Sequence, residues 1–169
     1  MLHPQQFRDT LLDTSGTVIG FYPREFFVFD NFSSFQVDWR QRRWATSEHA
    51  YQASHFLETA PELVEKIYHA RSAHDAYKMA KANAGKVPAD WEGVKTRVMY
   101  EICRNKLLQN AYVWDKLSMT GDLRIVEDSP KDDFWGWGPR RDGRNELGKV
   151  WMTLRDEIKA GILIRPSEQ

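Results

Sequence analysis

The hydrophobic pattern of this chain changes its period once, near Trp44, and that change limits the folds open to it. Before it, Thr17–Tyr22 is short and rich in β-branched and aromatic residues, and Phe35-Gln36-Val37-Asp38-Trp39 alternates apolar and polar side chains, as half-buried strands do. Arg40-Gln41 reads as a turn into a second short strand ending at Trp44, although neither residue is the Gly or Asn that a tight hairpin prefers. After Trp44 the spacing is helical. Thr46 or Ser47 offers an N-cap for a helix to about Leu57, Pro61 opens another through Ala70, and Ser72 caps a third that runs to about Asn83 and stops at Gly85. Asp90 caps a helix whose Trp91, Val94, Val98 and Ile102 share one face. Asn110 caps a short helix ending at Gly121, and Leu123–Val126 reads as a strand. Leu147, Val150, Trp151, Leu154 and Ile158 form the apolar stripe of a last helix, which Gly161 ends.

These strands do not alternate regularly with helices, which argues against a doubly wound parallel sheet. The expected class is α+β: a helix-dominated single domain with a small, mainly antiparallel sheet, a core over about 17–162 and short frayed ends at 1–14 and 163–169. The length of 169 residues suits one domain, and no repeat or low-complexity linker divides it. Twenty-four basic residues balance 24 acidic ones, which argues against general nucleic-acid coating, though not against a local basic patch. Cys103 is the single cysteine, so no internal disulfide and no cysteine-based zinc site exists. No apolar run is long enough to span a membrane, and MLHPQQFRDT lacks the apolar core of a signal peptide. A soluble, cytoplasmic protein is expected.

Seven tryptophans are a surplus for this length, and indoles serve either cores or flat ligands. Two segments carry chemistry beyond scaffolding. In the run from Trp44 to Phe56, Glu48, Tyr51, Gln52 and His55 fall within one arc of a helix at about 100° per residue, opposite Ala50, Ala53 and Leu57. Glu48 lies in the first turn, where the helix dipole favours a carboxylate. A solvated polar face is the plainer account of that arc. The second segment, Glu127 to Lys149, is long and aromatic for a connection. It offers Asp132 and Asp133, the indoles of Trp135 and Trp137, several glycines, and Arg140, Arg141 and Arg144. Arginine for phosphate, Trp for a base and a carboxylate for ribose hydroxyls suit a phosphorylated nucleoside-like ligand. A loop plugged into the core by its two tryptophans is the alternative. His49 and His55 are too far apart to pair on one helix face for a metal, and no zinc-protease, nucleophile-elbow, P-loop or dinucleotide fingerprint is present. Cys103 sits among apolar helix positions and reads as core.

Several of these blocks, in order, resemble the NADAR family of N-glycosidases, also called YbiA-like. The resemblance runs from about Phe21 to Ile158. It rests on Asn31-Phe32, Trp44, Thr46 to His49, Tyr51-Gln52-Ala53, Trp91, Lys95, Val98-Met99, Thr120-Gly121, Ile125-Val126-Glu127, Asp132, Trp135-Gly136, Gly138, Asn145 and Leu147-Gly148. The chain departs from the pattern at Ala45, where the family usually has Pro, and at Ala80-Lys81, where it commonly has Gly-Arg. Trp137 and the Arg140-Arg141 pair lie outside the pattern.

The resemblance implies a YbiA-like fold and hydrolysis of an N-glycosidic bond at ribose C1. Family substrates include phosphorylated ribosylamino-pyrimidine intermediates of riboflavin synthesis, and other members remove ADP-ribose from guanine bases. It also implies Glu48, Trp91, Asp132 and Trp135 as active-site residues. Glu48 is then the main carboxylate and Asp132 its partner, with Trp91 and Trp135 stacking on the base or walling the pocket. Trp44 and Gln52 join the substrate-binding set. Lys81, Arg140, Arg141 and Arg144 are candidates for phosphate contact, and Asn31 and Asn145 either fix loops or bond the ligand. This scheme requires no metal and no cofactor. The expected partner is a small ribosylated, phosphorylated molecule, with ADP-ribosylated nucleic acid as the alternative and a non-catalytic NAD or ADP-ribose module as a third reading. Among the tryptophans, Trp151, Trp39 and Trp114 are expected in the core.

Overall fold

The computed structural model describes residues 17–21 and 26–167. Tyr22 and the ends at 1–14 and 168–169 lie outside the described residues. In chain order the elements are β1 (Val18–Phe21), β2 (Val37–Trp39), β3 (Arg42–Trp44), α1 (Ser47–Ser54), α2 (Pro61–Tyr68), α3 (Ala73–Ala82), α4 (Trp91–Gln109), α5 (Ala111–Met119), β4 (Arg124–Glu127) and α6 (Glu146–Lys159). Short 3₁₀ turns occupy Phe27–Phe29 and Ala84–Lys86. The expected helix-dominated α+β class holds. The chain forms two compact units, Asn31–Gln109 and the segments on either side of it.

The flanking segments meet through strands. β1 and β4 pair in parallel, from Val18 opposite Arg124 to Phe21 opposite Glu127. Among the described residues the strands form two separate two-stranded pieces, one parallel and one antiparallel, where one mainly antiparallel sheet was expected. A parallel pair needs a long crossover, and β4 follows β1 only after the whole of the other unit. Ile19, Phe21, Ile125 and Val126 are buried. Phe29 packs edge-on to Phe21 at 5.7 Å and against Trp151 of α6 at 4.9 Å between ring centroids. The Trp151 indole N–H donates to the Phe29 carbonyl at 3.0 Å, so the buried ring keeps its polar atom satisfied. Arg155, also buried, donates to Thr120 Oγ1 at 2.9 Å and to the Leu123 carbonyl at 2.7 Å, joining α6 to the turn before β4. Two contacts follow α6 in the described residues. Leu163 is buried, and Arg165 forms a two-pronged bond to Asp115 at 2.9 and 2.8 Å.

In Asn31–Gln109, β2 and β3 form a hairpin with Val37 opposite Trp44. Its two-residue turn puts both Arg40 (φ 48°) and Gln41 (φ 62°) in the left-handed region, at roughly 1–2 kcal/mol per residue for a side chain with a Cβ. Side chains compensate. Arg40 lies over the Trp39 ring at 4.7 Å, Arg43 forks onto Asp38 at 2.7 and 2.9 Å, and Gln109 Nε2 and Asn105 Nδ2 of α4 donate to the Asp38 carbonyl. Trp44 meets Tyr68 of α2 edge-on at 5.4 Å. Thr46 rather than Ser47 caps α1, its hydroxyl accepting from the His49 N–H at 3.2 Å. α1 packs against α2, α3 and α4 and is buried along its whole length. Of the polar arc allowed for in the sequence, Glu48, Tyr51 and Gln52 are therefore buried rather than solvated, and His55 is half-buried.

Candidate active site

Burial of α1 makes its polar side chains informative, since each needs a partner that water does not supply. Glu48 is 5% exposed and sits in the first turn. Its backbone N–H donates to the Asn31 carbonyl at 3.0 Å, and its Oε1 accepts from Gln52 Nε2 at 2.7 Å. The helix N-terminus and the amide donor both favour negative charge at that carboxylate. Gln52, expected to bind substrate, is thus directed at Glu48. Asn31 is buried, with Nδ2 at 3.2 Å from Met99 Sδ, while its Oδ1 has no hydrogen-bond partner among the described residues. A buried amide oxygen left unpaired is costly and is the kind of atom that a ligand donor satisfies.

Beyond Glu48 the same face of α1 becomes aromatic. His55 lies 4.2 Å from Trp91 and 5.0 Å from Tyr51, centroid to centroid, and Tyr51 lies 5.8 Å from Trp91. Trp91, the first residue of α4, is buried, while His55 is half-buried. His49 points elsewhere. Its Nδ1 meets Thr46 Oγ1 at 2.8 Å and its Nε2 meets the Ala70 carbonyl at 3.1 Å, so this imidazole anchors the start of α1. Trp44 is buried, its indole N–H donating to the Trp39 carbonyl at 3.1 Å, and serves packing. Lys81 is exposed on α3, its Nζ 5.7 Å from the Tyr77 ring centroid. Lys106 escaped the sequence reading. It is fully buried and donates to Ser33 Oγ at 2.8 Å, and its only sequence signal is its position in register with Ile102 and Cys103 on the apolar face of α4.

The other candidates lie in the loop between β4 and α6, in the flanking unit. Asp132 Oδ1 accepts from the backbone N–H groups of Phe134 at 2.9 Å and Trp135 at 2.7 Å, which turns the chain and fixes Trp135. The loop then folds on its own backbone, with Arg144 N–H bonding the Asp133 carbonyl at 2.7 Å and Asn145 N–H the Gly136 carbonyl at 3.0 Å. A Cβ on Gly136 would come 2.7 Å from the Glu127 carbonyl oxygen, so this close approach to β4 requires glycine. Asn145 has φ 54°. Its Oδ1 accepts from the Glu127 N–H and its Nδ2 donates to the Ile125 carbonyl, both at 2.9 Å, so of its two expected roles the structure shows loop fixing. Trp135 and Trp137 are half-buried, whereas Trp39, Trp44, Trp91, Trp114 and Trp151 are buried. Arg124 covers the Trp137 ring at 5.3 Å. The exposed arginines each face an acid: Arg140 with Asp142 at 3.6 Å, Arg141 with Asp128 at 3.5 Å and Arg144 with Glu146 at 3.3 Å. The loop's basic character is therefore largely neutralised on the spot. Among the described residues no three His, Cys, Asp or Glu side chains gather to hold a metal, and no helix is long and apolar enough to cross a membrane.

Comparison with known proteins gives a consistent relationship. The model of the NADAR domain matches residues 6–159. The chain is 36% identical over 132 residues to the N-glycosidase Npun_R5314 of Nostoc punctiforme, covering 78% of this chain and 85% of that protein. It is 32% identical over 144 residues to the N-glycosidase YbiA of Escherichia coli, covering 84% and 89%. It is 39% identical over 116 residues to the riboflavin biosynthesis protein VVA0006 of Vibrio vulnificus, covering 69% of this chain and 31% of that protein. The NMR structure of E. coli YbiA superposes with a TM-score of 0.79 at 30% identity, over 90% of this chain and 91% of that one.

Proposed function

Because the chain belongs to the NADAR family, we propose that it is an N-glycosidase hydrolysing the ribosyl C–N bond of phosphorylated ribosylamino-pyrimidine intermediates of riboflavin biosynthesis. The observation that carries the reading is Glu48: a buried carboxylate at a helix N-terminus, one oxygen held at 2.7 Å by Gln52. Cleavage of a ribosyl C–N bond builds positive charge on C1 and the ring oxygen. A fixed anion close to that charge stabilises the transition state without having to reorganise. Water then supplies hydroxide to C1 and a proton to the departing nitrogen, giving a free base or amine and ribose phosphate. The aromatic wall of Tyr51 and Trp91 offers a face for the base. Asp132 and Trp135 are proposed as substrate contacts on the strength of the family resemblance, with Asp132 Oδ2 available once Oδ1 has organised the loop. The names of the relatives support the ribosyl pyrimidine over the ADP-ribosylated guanine, and the local pairing of the loop arginines gives nucleic acid no extra support.

The test is Glu48→Gln assayed with a ribosylamino-pyrimidine 5′-phosphate. Turnover is expected to fall on the order of 10²–10³-fold with the fold retained. Near wild-type release of the base by the variant rejects the assignment. Release of free ADP-ribose from ADP-ribosylated DNA, with none from the pyrimidine, moves the function to the alternative substrate, and binding without either product makes the protein a binding module.

A further inference from the structure

His55 has one ring nitrogen committed and one not. Its Nδ1 lies 3.0 Å from the Tyr51 carbonyl oxygen and 3.1 Å from the Gln52 carbonyl oxygen. Carbonyls only accept, so Nδ1 carries the hydrogen. Nε2 has no hydrogen-bond partner among the described residues, and it points away from the backbone that holds the ring. The ring itself is clamped between Trp91 and Tyr51. His55 also lies seven residues after Glu48, on the same face of α1, with Gln52 between them. Seven residues rise about 10 Å, a span comparable to a ribosyl group with its attached pyrimidine.

Resting on the N-glycosidase reading, we propose that His55 Nε2 is a specificity-determining hydrogen-bond acceptor that takes an N–H of the substrate's base while Glu48 faces the ribosyl carbon. The chemistry recognised is a flat heterocycle whose far edge carries a donor, such as a ring N–H or an exocyclic amine. A base with only a carbonyl oxygen there would meet the imidazole lone pair and be rejected, because a built polar site discriminates strongly against analogues that cannot pair with it. Acceptance requires the neutral ring. Burial pushes the His55 pKa below its ordinary value, and Lys95 of α4 works in the same direction, while the Tyr51 and Gln52 carbonyls and Glu92 of α4 oppose it more weakly. Below that lowered pKa the ring becomes a donor on both nitrogens, and the substrate's N–H then meets another N–H.

Two measurements test this. The first is the ring ¹⁵N spectrum of the full chain, alone and with a ribosylamino-pyrimidine 5′-phosphate, with His55→Gln assigning the signals. At neutral pH it should show Nδ1–H with a bare Nε2, and the Nε2 signal should move when the ligand binds. An Nε2–H tautomer, or an Nε2 signal that does not move, overturns the proposal. The second is the pH dependence of KM and kcat between about pH 5 and 8. His55→Lys, a permanent donor, should raise KM roughly tenfold with little change in kcat, whereas His55→Gln, which keeps an acceptor oxygen, should raise KM less than His55→Lys and lose the acid-side rise in KM. An unchanged acid limb in His55→Gln, or a loss confined to kcat, also overturns it. Should the wild type release no base, the N-glycosidase reading fails by itself, and movement of the Nε2 signal still decides for or against His55.

Discussion

Gln52 Nε2 stands 2.7 Å from Glu48 Oε1, one helical turn further along α1, and both side chains are buried. The amide holds the carboxylate in one orientation. A hydrogen bond to a charged group is worth about 1.5–3 kcal/mol. If that orientation serves the reaction, Gln52→Leu should lower turnover roughly tenfold to a hundredfold while the melting temperature moves only a few degrees. Steady-state kinetics alongside thermal melts check this, and unchanged turnover in a folded variant would separate Gln52 from the chemistry.

Asp132 gives a sharper division between structure and chemistry. Its Oδ1 holds the N–H groups of Phe134 and Trp135, and an asparagine retains that oxygen. Asp132→Asn should therefore keep the loop and most of the stability while losing the negative charge, with turnover falling at least tenfold. Asp132→Ala removes both and should in addition cost about 1–2 kcal/mol of stability. Urea denaturation of the two variants separates the effects. Full activity in Asp132→Asn would leave this residue a loop-forming role alone.

Gly148 lies in the first turn of α6, against β4. A Cβ there would press on the Ile125 carbonyl oxygen and on both ends of the Asn145 side-chain amide, closer than real Cβ atoms come. Gly148→Ala must displace Asn145 from its two bonds to β4. The expected cost is about 2–4 kcal/mol, since overpacking and two broken buried hydrogen bonds act together. A denaturation midpoint equal to that of the wild type would contradict this.

Acid should destabilise the fold partly through His55. Its pKa is lower in the folded protein than in the unfolded chain, chiefly because burial disfavours the imidazolium. Between the folded value and the unfolded value of about 6.5 the unfolded chain binds more protons, so stability rises with pH in that window. The contribution is complete above the unfolded pKa, falls as pH drops through the window and levels off below the folded pKa. His55→Gln should flatten this part of a stability–pH curve, and an unaltered slope in the variant would count against it.

Much of the secondary structure was legible because it depends on local chemistry. Thr46, Pro61 and Ser72 mark helix starts in the sequence and do so in the structure. The stripe Leu147, Val150, Trp151 and Leu154 is the buried face of α6. Trp39, Trp114 and Trp151 pack as their periodicity suggested. Pairing sense was not legible. That β1 meets β4 in parallel depends on contacts between segments about a hundred residues apart, and alternation within a strand carries no record of its partner.

The candidate residues divide in the same way. Sequence by itself determined which side chains share the α1 arc, that Glu48 occupies a first turn, and the ordered motif blocks that carry the family, because helical period and residue order are properties of the chain alone. Only the tertiary structure decided what those side chains do with their polar atoms. It buried Glu48, Tyr51 and Gln52 of the α1 arc, turned Gln52 onto Glu48, spent Asn145 on the β4 backbone and faced each loop arginine with an acid. It also held the Nδ1 of His55 against the Tyr51 and Gln52 carbonyls. The physical reason is that a hydrogen-bond partner is chosen by distance and by the cost of burying an unpaired polar atom, and both come into being only when remote segments pack.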